Sequence, residues 1–504
     1  MKHLVYLLGL ATIVCVGPLV HAQAFRTDSS STVPTDPPFT DSLEPPAARA
    51  AAEYARTRLE RDLAAVQTHR PSYPFWQHIF TIPDGRIAFG SARDGRLLAV
   101  FPTNGDWVRD GVWEEKSLNG ILKGPTLPKR LDARRDTVVR VLEPVTGPVV
   151  HNPTRGQFLL PNAQRYGSFL QEWGAIYERF GVPAEIGLAQ AILESGLDGR
   201  ARSRAQALGF CQFLRRNWAF LDKLSPVVLE AYNQTTQAPY CAAYLSVLAT
   251  MYDSFVPALS EHHAGGVNVG RTMINGERLG GTDPREQYFR GSDFAASLRQ
   301  VSLRRYRDLY RTYGHRSSLY AEMVFGNIAN VKRLIAEYPQ VPIFAMRLSK
   351  PIRVLDISAR TGIKPDEVKR FNPALTTRVP AKANLYLPFY VRQFGPDVSF
   401  WHRPPTPEYA EVLNDFLRID GGIARWHEAS FESTLRTFQD RFEATGTEEG
   451  SVMATTLAYV ISDLRTSRRA AILEDFRTSG RILELFRRGV EELGLTIGVP
   501  QARN

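Results

Sequence analysis

Glu194 and Gln212 are the residues whose types and spacing suggest chemistry in this chain of 504 residues. Glu194 ends a run of apolar residues and is followed by Ser195, and Gln212 lies 18 positions later in a second short apolar stretch. A carboxyl group at the end of an apolar helix is poorly hydrated, and desolvation raises its pKa because it disfavours the charged form. A carboxylic acid that stays protonated near neutral pH can serve as the general acid that glycoside cleavage requires. Most glutamates on helices are solvated, so the role of Glu194 as a general acid depends on support from the surrounding residues.

The element that positions Glu194 is predicted to be an apolar helix. Pro183 marks its start, since a proline in the first turn of a helix costs no hydrogen bond. Apolar residues then repeat at helical spacing up to Glu194. They are Ile186, Ala189, Ile192 and Leu193. The helical pattern extends on both sides, from about residue 158 to about residue 334.

Five short segments of this helical region resemble a known catalytic family. The segments ESGL (194–197), ARS (201–203) and ALGFCQ (207–212) resemble the signature of soluble-lytic-transglycosylase-type domains, glycoside hydrolase family 23, with the same Glu-to-Gln spacing. The segment HHAGGVNVGR (262–271) resembles that family's Tyr-Asn-Ala-Gly-x-x-x-Val motif. The segment SSLYAEMVFGN (317–327) resembles its Glu-Thr-x-x-Tyr-Val motif, which puts Tyr320 at the position of the active-site tyrosine. Tyr288 and Tyr306 are the alternatives for that role.

The resemblance implies a lysozyme-like, mainly α-helical catalytic domain over residues 151–335 and a peptidoglycan lytic transglycosylase activity. Glu194 would act first as acid and then as base on the bond between N-acetylmuramic acid and N-acetylglucosamine, leaving a 1,6-anhydro end. The implied substrate-binding residues are Ser195, Gln212, His263 and Tyr320. The implied partner is the glycan strand of peptidoglycan, and the mechanism uses neither a cofactor nor a metal.

The sequence departs from the family pattern at several places. Gln206 replaces a glycine, Cys211 replaces a methionine, and His262 with His263 replaces the Tyr-Asn pair. A metal site at the two histidines is an alternative, although adjacent residues point apart and no third ligand is evident. Residues 271–316 form an additional basic and aromatic segment that could lengthen or cover a substrate groove.

Two cysteines, Cys211 and Cys241, remain beyond the N-terminal segment. In an exported protein they could form a disulfide, or they could be buried free thiols. In the family, the helix that would hold Cys241 packs near the segment that ends in the glutamine. The resemblance therefore implies a disulfide between Cys211 and Cys241.

The N-terminal residues 1–22 are predicted to form a secretory signal peptide. Lys2 precedes an apolar core, and small residues stand near Ala22. A retained membrane anchor is the alternative. Residues 23–46, rich in Ser, Thr, Asp and Pro, are expected to form a disordered linker. These features predict a periplasmic or secreted protein with no transmembrane segment after signal removal. The net charge is +10, but the sequence contains no long run of basic residues, so nucleic acid is not an expected partner.

The rest of the chain is predicted to form three further units. Residues 47–150 combine an N-terminal helix with a small α/β or β domain, built on a hairpin between two Asp-Gly turns, at 84–85 and 94–95. Trp107 and Trp113 in this unit would form either an aromatic core or a sugar platform. Residues 396–504 form a C-terminal helical region. Its core positions are expected at Phe431, Leu435, Phe438 and Phe442.

Residues 336–395 resemble a LysM module, a small βααβ fold that binds N-acetylglucosamine-containing glycans. Matching positions include Ile357, Gly362 and the Asn372-Pro373 pair, but residues 351–354 replace the module's Gly-Asp-Thr-Leu turn. The module is therefore degenerate. It would either bind glycan or serve only to pack against the rest of the protein. Its place after the catalytic domain is similar to the order in membrane-bound lytic transglycosylases of the D group. The whole chain is expected to be mainly α and multidomain.

Two other activities fit the same residues. A goose-type lysozyme would share the fold but hydrolyse the bond, and it would need a second carboxylate such as Asp198 or Glu185 to position water. A non-catalytic scaffold would bind the wall without cleaving it. The products and the behaviour of a Glu194 variant distinguish the three.

Overall fold

The computed structural model describes residues 44–495 except 216, 218–231, 312, 314, 376 and 422–428. The predicted signal peptide, residues 1–22, and all but the last three residues of the predicted linker, 23–46, lie outside the described residues. The chain is mainly helical, as expected from its sequence.

The N-terminal part combines a long helix with a four-stranded antiparallel sheet. Its elements are α1 (Pro46–His69), α2 (Trp76–Ile79), β1 (Arg86–Ser91), β2 (Leu97–Pro102), α3 (Trp107–Asp110), β3 (Val112–Trp113), α4 (Leu131–Thr146) and β4 (Val149–Pro153). The strand order is β3-β2-β1-β4. The predicted hairpin is confirmed: Gly85 precedes β1 and Gly95 lies in the β1–β2 turn, both with positive φ.

The sheet and α4 enclose a small core of their own. Trp107 is 1% exposed and stacks on Phe101 with ring centroids 4.8 Å apart, so it belongs to this core and cannot form a sugar platform. The helix α1, by contrast, docks on the helical body. The buried Asp62 of α1 accepts hydrogen bonds from Ser254 and from the Phe255 amide, and forms an ion pair with Arg285.

The central helical body follows the sheet and contains the predicted site residues. Its elements are α5 (Gly156–Tyr166), α6 (Leu170–Glu178), α7 (Ala184–Ser195), β5 (Ala207–Leu208), β6 (Phe213–Leu214), α8 (Gln234–Tyr252), α9 (Phe255–Ala264), α10 (Gly266–Arg278), α11 (Pro284–Ser302), α12 (Arg307–Tyr310), α13 (His315–Ser318) and α14 (Tyr320–Glu337). As predicted, α7 begins directly after Pro183 and ends just past Glu194. Gly196 ends it with φ +58°, and a β-carbon there would lie 2.0 Å from the Phe158 carbonyl oxygen. Only glycine both adopts this positive φ without strain and leaves room for the Phe158 carbonyl group.

The LysM-like segment forms a compact unit with its own hydrophobic core. Its elements are β7 (Phe344–Arg347), β8 (Ile352–Arg353), α15 (Val354–Thr361), α16 (Pro365–Phe371), β9 (Arg378–Val379) and β10 (Asn384–Leu387). β7 pairs with β10 and β8 with β9. The unit docks on the helical body, where Phe371 packs on Phe169 with ring centroids 4.6 Å apart and its carbonyl accepts a hydrogen bond from Asn233.

The C-terminal helices share one continuous hydrophobic core with the helical body. They are α17 (Pro407–Leu417), α18 (Ala429–Ala444), α19 (Glu448–Thr466), α20 (Arg469–Thr478) and α21 (Gly480–Glu492). The four predicted core positions of α18, Phe431, Leu435, Phe438 and Phe442, are all buried, which confirms that prediction.

Within the part of the chain that the structure describes, no single helix has the length and apolar composition needed to cross a membrane. One pair, α8 and α9, reaches that length and composition only when joined across a 119° bend.

Candidate active site

Glu194 lies in the last turn of α7, and its side chain is 13% exposed. The residues around it on α7 are apolar and face the core, so little water reaches the carboxyl group. Burial raises its pKa to about 7, and a hydrogen bond from Tyr320 partly opposes this increase. Both the protonated and the ionised form of this carboxyl group are therefore accessible near neutral pH.

Tyr320, the first residue of α14, donates its phenol hydrogen to Glu194 Oε1 over 2.5 Å. The phenol is buried, and burial together with the neighbouring carboxylate raises the pKa of Tyr320 well above its ordinary value. Tyr320 thus remains a hydrogen-bond donor throughout the physiological pH range. Gln190, one turn before Glu194 on α7, lies beside the same phenol.

His263 covers the phenol from the solvent side. Its ring is parallel to that of Tyr320, with centroids 4.7 Å apart and an interplanar angle of 15°. His263 itself is exposed, whereas Tyr320 is only 2% exposed. The structure therefore brings Glu194, Tyr320 and His263 together from three separate helices, α7, α14 and α9.

His262, the residue before His263 on α9, contacts the loop that precedes β6. Its Nε2 lies 2.8 Å from the Cys211 carbonyl oxygen and 3.8 Å from Glu194 Oε1. Burial lowers the pKa of His262 to about 4, so the ring is neutral and supplies no positive charge to Glu194. The two histidine rings have different neighbours, and among the described residues no three His, Cys, Asp or Glu side chains cluster as metal ligands would.

Ser195 does not have the role that the sequence suggested. It is 2% exposed, and its hydroxyl lies 3.0 Å from both the Ala191 and the Phe210 carbonyl oxygens. The hydroxyl is occupied by backbone acceptors and is shielded from solvent, which corrects its assignment as a substrate-binding residue. It joins the end of α7 to the loop before β6.

Gln212 is also engaged within the protein. Its side-chain nitrogen donates to the Ala201 and Gly209 carbonyl oxygens, at 3.0 and 3.1 Å, rather than to Glu194 as expected. Its backbone has φ +53°, an unusual value for a residue other than glycine. Gln212 therefore stabilises a tight loop between residues 199 and 212, and it borders the site through that loop.

Two features of α8 hold this loop in place. Gln237, fully buried, accepts a hydrogen bond from the Phe210 amide and donates to the Gly199 carbonyl over 2.9 Å. Cys241, one turn further along α8, forms a disulfide with Cys211, and their α-carbons are 5.9 Å apart. The disulfide is the pairing that the family resemblance implied. The role of Gln237 was missed, because an amide in an apolar helix has no local sequence signal.

A buried ion pair connects the site to the C-terminal helices. Glu261 immediately precedes His262 on α9, and its carboxylate lies 2.6 Å from the guanidinium of Arg469 at the start of α20. Both side chains are at most 5% exposed, and Tyr252 donates a further hydrogen bond to Glu261. Nothing in the sequence connects two residues that lie so far apart along the chain.

Comparison with known proteins adds no further constraint. No protein-family model matches the chain, and no curated protein matches it significantly. The chemistry of the site therefore has to be inferred from the residues and their geometry.

Proposed function

We propose that the chain is an exported peptidoglycan lytic transglycosylase with a lysozyme-like catalytic domain, acting in the periplasm or outside the cell. The observation that supports this most directly is Glu194, a shielded carboxyl group with a pKa of about 7 that is hydrogen-bonded to the Tyr320 phenol. Such a group can both give and take a proton near neutral pH. The motifs around Glu194 and Tyr320 point to the same chemistry.

In this proposal, protonated Glu194 transfers its proton to the glycosidic oxygen between N-acetylmuramic acid and N-acetylglucosamine. The bond breaks, and the acetamide of the muramic acid supports the developing positive charge. Ionised Glu194 then removes the proton of the muramic 6-hydroxyl, whose oxygen closes the 1,6-anhydro ring. The proton given in the first step is regained in the second, so no water is consumed. Tyr320 stabilises the ionised carboxylate between the two steps by its hydrogen bond.

The surroundings of Glu194 favour this mechanism over hydrolysis. A hydrolase that inverts needs a second carboxylate about 6.5–9.5 Å from the first. Glu185 is in the first turn of α7, about 13 Å from Glu194 along the helix axis at 1.5 Å per residue. Asp198 accepts a hydrogen bond from the Arg200 amide and pairs with the Arg200 guanidinium. Among the described groups, no other carboxylate contributes to the pKa of Glu194.

The test is to digest purified sacculi and identify the new glycan ends by mass spectrometry. A transglycosylase leaves 1,6-anhydromuramic ends, which are one water lighter than the reducing ends that a hydrolase leaves. Glu194→Gln should abolish cleavage while retaining sacculus binding. New ends that are all reducing would assign a lysozyme activity instead. A wild-type protein that binds sacculi and never cleaves them would establish a non-catalytic scaffold.

A further inference from the structure

A cationic cavity of about 540 Å³ lies at the end of the segment that the family pattern lacks. Its lining contains four arginines: Arg299 from the last turns of α11, Arg304, Arg307 and Arg311. Leu303, Tyr310 and Tyr313 complete the lining. None of these lining residues is acidic. A concave site with several guanidinium groups and no internal carboxylate favours an anionic ligand.

A second cavity, of about 260 Å³, adjoins the first and shares Arg299 and Tyr313 with it. Its other lining residues include Ala295, Ala296 and Ser318. Ser318 is two residues before Tyr320, the donor to Glu194. The two cavities therefore extend from the arginines to the segment that immediately precedes α14.

A chain of hydroxyl groups also joins this region to α9. The Tyr313 phenol oxygen lies 2.6 Å from that of Tyr288, and Ser260 donates to Tyr288 over 2.6 Å. Ser260 precedes His262 by two residues and His263 by three. This chain starts at Tyr313, which lines both cavities, and ends at Ser260 of α9, the helix that holds His263.

We infer that this cavity binds the carboxylates of the short peptide stems on peptidoglycan, so that the protein prefers peptide-substituted glycan strands. This inference rests on the proposed function. Planar guanidinium groups bind carboxylates in a bidentate manner, and the site contains no lysine. Ala295, Ala296 and Leu303 add apolar surface beside the arginines. A peptide that combines methyl groups with carboxylates would find a contact surface for each of them in the two adjoining cavities.

The shape of the site favours a peptide over other polyanions. A nucleic acid backbone requires a row of cations along an open surface, whereas these arginines surround a cavity. An anionic membrane is the strongest competitor, because Val301 and Leu303 are exposed near the arginines. The second cavity extends to Ser318, just before α14. Binding to a membrane surface would not require such a cavity, so this feature favours the peptide as the ligand.

The variant Arg304→Gln/Arg307→Gln tests the inference, because both side chains are exposed and the variant should fold. Its rate of anhydro-end release is compared on two substrates: whole sacculi, and glycan strands from which an amidase has removed the peptides. We expect a loss of about tenfold or more on the peptide-bearing substrate, the loss expected when charge-assisted hydrogen bonds are removed. The rate on peptide-free strands should be unchanged.

The control is Arg333→Gln/Arg353→Gln, which removes the same charge at two exposed positions outside the cavity lining. It should match the wild type on both substrates. Equal losses of the cavity variant on both substrates, or no loss on either, would refute the inference. Loss of binding to vesicles containing anionic phospholipid, without a substrate-dependent rate change, would assign the arginines to a membrane and also refute it.

Peptide binding by the cavity can be tested even if the protein does not cleave glycan strands. Titration calorimetry of Glu194→Gln with a soluble disaccharide, with and without its peptide, measures binding without cleavage. If the wild type releases no anhydro ends, the proposed function fails. If binding depends on the peptide and disappears when Arg304 and Arg307 are also replaced, the result would still support peptide binding by the cavity. Equal binding of both disaccharides would refute it.

Discussion

Replacing Glu194 by glutamine should make the protein more stable at alkaline pH. The carboxyl group has a pKa of about 7 in the folded protein, against an ordinary value of 4.5. As pH rises between these values, the unfolded chain loses this proton before the folded chain does. Folding stability therefore falls over this range, and the loss is complete above pH 7. Glutamine does not titrate, and its carbonyl oxygen can still accept the hydrogen bond from Tyr320.

The magnitude follows from the two pKa values. One pKa unit corresponds to about 1.36 kcal/mol, so ionisation of Glu194 costs about 0.8 kcal/mol of stability at pH 5 and about 3.3 kcal/mol at pH 8. The advantage of Glu194→Gln over the wild type should therefore grow by about 2.5 kcal/mol between these two pH values.

Urea denaturation at pH 5 and pH 8, followed by circular dichroism, measures this difference. Glu337→Gln is the matched control, because Glu337 is an exposed carboxylate paired with Arg333 near the end of α14. Its effect should stay within about 0.5 kcal/mol at both pH values. If the difference between Glu194→Gln and the wild type were the same at pH 5 and pH 8, the carboxyl group would titrate normally and its assignment as general acid would lose its physical basis.

Two further predictions concern the partners of the site. Tyr320→Phe removes the donor that lowers the pKa of Glu194, so the decline of activity above about pH 7 should move upward by about one unit or more in a pH–rate profile; an unmoved decline would contradict this. Arg469→Met leaves the buried Glu261 without its ion-pair partner and should cost about 3–5 kcal/mol in urea denaturation. Arg469→Met/Glu261→Gln should recover most of that loss, and equal losses for both variants would show that the ion pair is not responsible.

Local patterns in the sequence predicted the elements that local chemistry determines. Pro183, the apolar stripe and Gly196 define α7 because a helix start, a buried face and a left-handed cap each have a residue signature. The two Asp-Gly turns define the β1–β2 hairpin for the same reason. These local signals are also sufficient to place Glu194 at the end of its helix.

The contacts of the Ser195 and Gln212 side chains could not be predicted from local sequence patterns. A hydroxyl or amide next to a candidate acid can turn toward the substrate or toward the backbone, and the choice depends on tertiary packing. Here the loop between residues 199 and 212 presents its carbonyl oxygens, and both side chains satisfy them. Gln237 and Arg469 were missed because their partners lie on distant elements, and neither pattern nor spacing encodes such contacts.

The ion pair between Glu261 and Arg469 has a consequence for the order in which the protein can mature. During synthesis, the chain leaves the ribosome with α9 more than two hundred residues ahead of α20. Until Arg469 emerges, Glu261 has no arginine, and the helix that ends in His262 and His263 lacks its buried counter-charge. A chain released after residue 335 would contain every residue of the candidate site and would still lack this support. The site therefore lacks this support in any fragment that ends before Arg469, so such fragments should be inactive even when they include the whole family-like segment.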